Sequence, residues 1–252
     1  MQSEQIVYAA PTGKPLGTNA TFNVCATVLI PLLNLITRRT WQGKENIPQT
    51  GPAIVISNHL SYADVLFFAQ FLFKNGRAPR FIGKRSVFDV PIIGRILLAA
   101  GQIPVDREST HASKALDHAV AALKAGHLIG IYPEGTRSPD GRLYKGRTGI
   151  ARIAIESGAP VIPVAMFNTA EIQPTGQVVP KVRRVEMVFG EPMYFSGDST
   201  DQVVLRNATN ELMEKIAELS KQEYVPNMYA SDAKDAIKKS LKEKIDFEED
   251  DA

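Results

Sequence analysis

Short apolar runs alternate with helical patterns along most of the chain. Ala53–Ser57 (AIVIS) is apolar and bounded by Pro52 and Asn58, the pattern of a buried strand. Further strands are predicted at Arg80–Gly83, Ile103–Asp106, Leu128–Tyr132, Val161–Phe167 and Arg184–Phe189. Between them fall helical stretches. One opens at Ser61 with its body at Val65–Phe73, and Val90–Ala100 follows with Gly101 as its cap. Thr110–Ala125 ends at Gly126, Gly149–Ser157 at Gly158, and Asn207–Glu223 completes the set. Strands alternating with helices predict an α/β fold with a mixed central sheet flanked by helices.

The ends of the chain read differently. Residues 1–20 are polar and rich in Pro and Gly, as in a loosely draped arm. Phe22–Ile36 is mostly apolar but is interrupted by Asn23, Thr27, Pro31 and Asn34. A spanning helix needs about 20 predominantly apolar residues, so this run is too short and too polar. Pro31 is expected to kink it, and an interfacial or re-entrant helix pair at a membrane fits; a core-facing helix of a soluble domain is the alternative. Beyond Ser231, Ala233, Ala236, Ile237 and Leu241 recur at helical spacing before an acidic end, which describes a solvated helix. The expected organisation is an arm and membrane-associating helical segment over 1–41, a main domain over 42–225, and a helical, acidic tail over 226–252.

Composition narrows the function classes. The 252 residues are enough for one large core. With 29 basic and 27 acidic side chains the formal charge is +2, which disfavours a nucleic-acid binder. The single cysteine, Cys25, excludes an intrachain disulfide, and no Cys/His cluster has zinc spacing. His111, His118 and His127 lack the carboxylate or cysteine partners a metal site needs. Basic residues follow the N-terminal apolar run (Arg38-Arg39) instead of preceding it, so the segment is expected to be retained.

The candidate chemistry centres on Ser57-Asn58-His59-Leu60-Ser61-Tyr62-Ala63-Asp64. On one continuous helix, positions five apart diverge by about 140°. His59 and Asp64 therefore meet only if His59 lies on a turn before a helix that Ser61 caps and whose first turn holds Asp64. Ser61-x-x-Asp64 also matches a capping box, so a purely structural role stays open. A carboxylate on one imidazole nitrogen fixes the tautomer and stabilises the imidazolium, leaving the other nitrogen to act as a general base. No G-x-S-x-G elbow is present, and Cys25 sits in an apolar run that does not suit an activated thiol. The pair would then activate a hydroxyl of the substrate itself.

Three more segments accompany the first: GQIPVDR at 101–107, PEGTR at 133–137 and PVIPV at 160–164. In this order, with the His59 block, they resemble the glycerolipid acyltransferase family over about residues 50–195. The resemblance implies that His59 is the base and Asp64 its orienting partner. It implies an acceptor site of Glu134, Gly135, Thr136 and Arg137, with Arg137 and Arg107 on a phosphate. Lys84 matches a basic residue between the first two blocks, and Pro163 would shape the acyl-donor or core side. It further implies acyl transfer to lysophosphatidic acid from acyl-CoA or acyl carrier protein, with no cofactor and no metal. Membrane lipids are the implied partners, and the implied place is the cytoplasmic face of the cell membrane, held peripherally or monotopically. Ile103-Pro104-Val105 departs from the large apolar and often aromatic residues of many relatives, which bears on the acceptor. The rivals are an acyltransferase for another lysolipid or glycolipid, a non-catalytic lipid-binding relative, and a metal-dependent hydrolase. Guanidinium beside glycine suits bidentate phosphate binding on general grounds. A local Glu134–Arg137 salt bridge is the bland alternative.

Overall fold

A computed structural model describes residues 15–106, 112–172 and 183–250. Its order is α1 Ala20–Ile36, β1 Thr37–Gln42, a 3-10 turn Lys44–Asn46, β2 Ala53–Ser57, α2 Asp64–Lys74, β3 Pro79–Lys84, α3 Arg85–Phe88, α4 Ile93–Ala99 and β4 Ile103–Val105. It continues with α5 Ala112–Lys124, β5 Leu128–Ile131, β6 Leu143–Tyr144, α6 Gly149–Ser157, β7 Val161–Phe167, α7 Thr169–Ile172, β8 Arg183–Phe189, α8 Gln202–Ser220, β9 Tyr224–Val225 and α9 Ala230–Asp250.

Seven strands form one sheet in the order β1-β8-β7-β2-β5-β3-β4. β7, β2, β5, β3 and β4 run parallel, β8 is antiparallel to β7, and β1 is parallel to β8, so the sheet is mixed as expected. β2 explains the layering. Ile54 and Ile56 face a core with Leu123, Ile153 and Leu212 from α5, α6 and α8. Ala53 and Val55 face a second core with Phe67, Phe68 and Phe71 from α2 and Leu33 from α1. A strand buried on both faces reads as an unbroken apolar run, and β2 is one.

Several boundaries differ from the sequence reading. The expected re-entrant pair near Pro31 is a single helix of 17 residues, α1, which carries Pro31 inside it. No described helix is long and apolar enough to cross a membrane. The domain start at 42 cuts through β1, whose polar sequence TRRTWQ hides an edge strand held by its register with β8. The tail boundary at 226 also divides packed residues: the Lys145 N–H donates to the Met228 carbonyl, and Ala230 and Ala233 bury Tyr144. Val90–Ala100 is shortened to α4, because Pro91 disfavours helix at Val90 and Ile92 adopts φ 68. α8 begins five residues early, where the Asp201 carboxylate accepts from the N–H groups of Val203 and Val204.

One glycine links the sheet to what lies above it. A Cβ on Gly130 of β5 would sit 2.3 Å from a carbon of the Phe81 ring. Its absence lets Phe81 lie against β5 and stack on Tyr132 at 6.2 Å and 12°. Gly130→Ala should displace that buried ring and cost about 1–3 kcal/mol. Chemical denaturation checks this, and an unchanged midpoint would contradict it.

Candidate active site

The parallel strands deliver the site. β2, β5, β3, β4 and β7 all point their carboxyl ends to one edge of the sheet, where ligands bind in open α/β folds. His59 follows β2, the 133–137 loop follows β5, and Lys84 ends β3. Arg107 comes two residues after β4 but lies outside the described residues, as does His111.

His59 and Asp64 meet. Nδ1 of His59 is 2.8 Å from Oδ2 of Asp64. The same oxygen accepts the backbone N–H groups of Leu60 at 2.7 Å and Ser61 at 2.8 Å. The Asp64 side chain is wholly buried, while that of His59 keeps 15% of its surface. Helical geometry starts at Asp64, later than the expected cap at Ser61; Ser61 instead accepts from the Ala63 N–H through its hydroxyl. The capping pattern and the His–Asp pair are thus one device, because the Asp64 oxygen that satisfies the turn also holds the imidazole. With Asp64 ionised, Nδ1 carries the hydrogen and donates it, and Nε2 is left with its lone pair.

The ring is also fixed from one side. Tyr132 stacks against it at 4.1 Å and 22°. The Tyr132 hydroxyl is buried without a hydrogen-bond partner. Burial first, and the Asp64 carboxylate second, push its phenol well above the ordinary range.

Glu134 differs from its expected role. It is 1% exposed and turned under the site, not toward an acceptor. Its oxygens accept the N–H of His59 at 3.3 Å and of Tyr144 at 3.0 Å. The turn Tyr132–Gly135 aims it inward, closed by Gly135 N–H to the Tyr132 carbonyl, with Gly135 at φ 77 where a side chain is disfavoured. Ser138 N–H donates to the His59 carbonyl at 2.8 Å, so the 134–138 loop grips both backbone groups of His59. Glu134 is therefore a positioning residue, and no Glu134–Arg137 bridge forms. Arg137 lies instead over the exposed Tyr62 ring, 3.4 Å from its centre. A stacked guanidinium keeps its N–H edge available to an anion. Thr136 is half-buried on the same loop, and Lys84 is exposed at the end of β3, two strands from β2. Pro163 lies within β7, and its carbonyl accepts the Gly190 N–H, which assigns it to the core side.

The sequence reading missed Asn58. It is 1% exposed, donates to the Met166 carbonyl and to Gln222, and accepts from the Met166 N–H and the Ser57 hydroxyl. It locks the end of β2 to β7 just before His59. A polar residue closing an apolar strand was the available signal. Among the described residues no three His, Cys, Asp or Glu side chains gather where a metal ion would fit. Two surface cavities, of ≈ 740 Å³ near Phe189 and ≈ 560 Å³ near His118 and His127, include none of these site residues.

An α/β domain carrying a buried carboxylate on an open histidine at its strand ends matches the family model for acyltransferases over residues 38–167, and the chain belongs to that family. It is 30% identical over 183 residues to the 1-acyl-sn-glycerol-3-phosphate acyltransferase of Pseudomonas aeruginosa, covering 71% of this chain and 69% of that protein. It is 32% identical to the chloroplastic 1-acyl-sn-glycerol-3-phosphate acyltransferase of Arabidopsis thaliana over 70% of this chain and 48% of that one. The Brassica napus chloroplastic enzyme is 33% identical, and 45% of it is covered, so the chain spans about half the length of these plant relatives. The crystal structure of the 1-acyl-sn-glycerophosphate acyltransferase PlsC from Thermotoga maritima superposes with a TM-score of 0.62 at 25% identity, covering 79% of each chain.

The Glu134 carboxyl holds its proton up to about 8 against an ordinary 4.5. Burial is the main cause; the Tyr144 and His59 amides oppose it, and Asp64 and Asp140 reinforce it. An acid whose folded pKa is raised binds its proton more tightly when folded, so stability falls as pH rises through that window. The wild type should therefore lose stability relative to Glu134→Gln between pH 4.5 and pH 8. Denaturation midpoints that stay parallel across this range would refute the assignment.

Proposed function

We propose that this protein transfers an acyl chain from a thioester donor, acyl-CoA or acyl carrier protein, to the free hydroxyl of 1-acyl-glycerol-3-phosphate, giving phosphatidic acid. The observation that carries it is Asp64 wholly buried on Nδ1 of a His59 whose side chain remains partly open. Nε2 removes the hydroxyl proton as the oxygen attacks the thioester carbonyl. An ester C–O bond forms, the C–S bond breaks, and the proton passes from His59 to the departing thiolate. The buried Asp64 carboxylate stabilises the imidazolium between these events. Arg137, on the loop that also grips His59, takes the acceptor phosphate, and Lys84, at the end of β3, adds positive charge to the same edge; Arg107 keeps the phosphate-binding role that the family resemblance implies. The chain supplies all of these groups, and the reaction calls for no cofactor beyond the donor. The names of the Pseudomonas, plant and Thermotoga relatives support this acceptor.

A membrane surface is the natural source of such an acceptor, and α1 supplies a face for it. Val24, Val28, Leu32 and Leu35 recur along one side of α1 and are 66%, 58%, 56% and 78% exposed. α4 packs against α1 and adds exposed Ile93 and Ile96, with Val90 and Ile92 just before it. An exposed apolar patch rimmed by polar groups marks an interaction surface. The protein would lie on the cytoplasmic face of the cell membrane by this face without crossing it.

His59→Ala should remove acyl transfer to lysophosphatidic acid, and Asp64→Asn should lower kcat by about 10²–10⁴-fold, with both variants folded. Arg137→Ala should chiefly raise the KM for the acceptor. Turnover of purified protein with both donor types and a panel of lysolipid acceptors tests all three. An unchanged kcat for His59→Ala would end the proposal, and a preferred acceptor without phosphate would remove the role given to Arg137.

A further inference from the structure

Arg39 and Lys74 are two neighbouring cations with no anion beside them among the described residues. Side chains alternate along β1. Trp41 packs on Phe71 of α2 at 4.7 Å and so marks the face turned toward the helices. Arg39, two residues earlier, shares that face. Glu186 lies opposite Thr40 in the register and contacts Gln42, which places it on the other face of β1. Lys74 closes α2, and its ammonium donates to Asn34 Oδ1 on α1 at 3.2 Å. Gln70 donates to the same oxygen at 3.0 Å. Nη1 of Arg39 is buried and has no hydrogen-bond partner. Neither cation forms an ion pair among the described residues. Burial lowers the pKa of Lys74, and repulsion from Arg39 lowers it further; burial lowers that of Arg39.

A buried guanidinium donor without an acceptor is costly, and the exposed Lys74 ammonium nearby adds attraction for an anion that would satisfy it. Asn34, which ties this cluster to α1, adjoins Leu35 in sequence and lies at the flank of the exposed apolar face. An anion seated there would lie level with the headgroups of a bilayer that received those leucines. We propose that Arg39 and Lys74 form a second phosphate seat, separate from the His59 site, for the headgroup of an anionic phospholipid. It fixes how the domain sits on the membrane and takes no part in the chemistry. The seat rests on the membrane contact of α1 put forward above.

The test compares vesicles of phosphatidylcholine with vesicles doped with phosphatidylglycerol, by co-sedimentation of the full chain. Wild type should prefer the doped vesicles. Arg39→Gln/Lys74→Gln should weaken binding to them on the order of tenfold or more, from the attraction typical of each basic residue at an anionic surface. Binding to phosphatidylcholine and turnover of detergent-dispersed substrate should stay unchanged. Arg39→Lys/Lys74→Arg should keep the preference, and Lys238→Gln/Lys239→Gln on the exposed side of α9 should keep most of it. An equal loss in the α9 variant would mean diffuse charge and overturn the seat. So would a wild type without lipid preference whose melting temperature inorganic phosphate raises through Arg39 and Lys74. A wild type that binds both vesicles equally overturns the seat alone. One that binds neither overturns the membrane contact and the seat together, leaving the acyl-transfer proposal to its own assay.

Discussion

One oxygen of Asp64 organises the site. Oδ2 accepts from the imidazole, from Leu60 and from Ser61, all within 2.8 Å. A carboxylate removed from water is tolerable only where strong donors replace the hydration it loses. Three donors gather on Oδ2, while Oδ1 is buried with no hydrogen-bond partner among the described residues, and each donor has a consequence. Two of them bend the chain from β2 into α2, and the third orients a ring that the same bend has brought within reach. Breaking the turn would release the histidine, and losing the histidine would leave the turn with a poorly compensated buried charge. Structure and chemistry share that atom.

Around it, the fold acts through backbone more than through side chains. Glu134 and Ser138 hold the N–H and carbonyl of His59, and Asn58 fastens the preceding residue to β7. Gly130 makes room for the stack of Phe81, Tyr132 and His59. The second carboxyl, Glu134, is buried, and burial first, with Asp64 and Asp140 adding to it, holds its proton up to about 8. Two neighbouring carboxyls thereby meet different surroundings, Asp64 under the imidazole and Glu134 beneath the loop.

Energetically the site stands on a core closed from both faces, while the outer face of α1 has no partner among the described residues. Apolar side chains there gain nothing from folding alone, and burying each against lipid recovers roughly 1.5–3 kcal/mol. That face, with Arg38 and Arg39 following its carboxyl end, is separate from the His59–Asp64 site.

Much was legible in the sequence because it depends on local rules. The runs at Ala53–Ser57 and Val161–Phe167 and the cap at Gly158 follow from periodicity and backbone preference, and the structure places them at those positions. His59 and Asp64 were legible because five residues spanning one turn allow few geometries. Other features depend on partners remote in the chain. β1 is a strand only because β8 lies beside it, about 145 residues on in the parallel register that pairs Thr37 with Arg183. Glu134 looked like a substrate ligand from its neighbours Gly135 and Arg137, yet burial under His59 made it a support. The tail looked separable, but Tyr144 needed Ala230 and Ala233 to cover it. The sequence by itself determined the layered α/β class and the turn on which His59 and Asp64 meet. The tertiary structure decided which polar groups face solvent and which hold the frame, since desolvation is a property of the packed whole and no short stretch of chain encodes it.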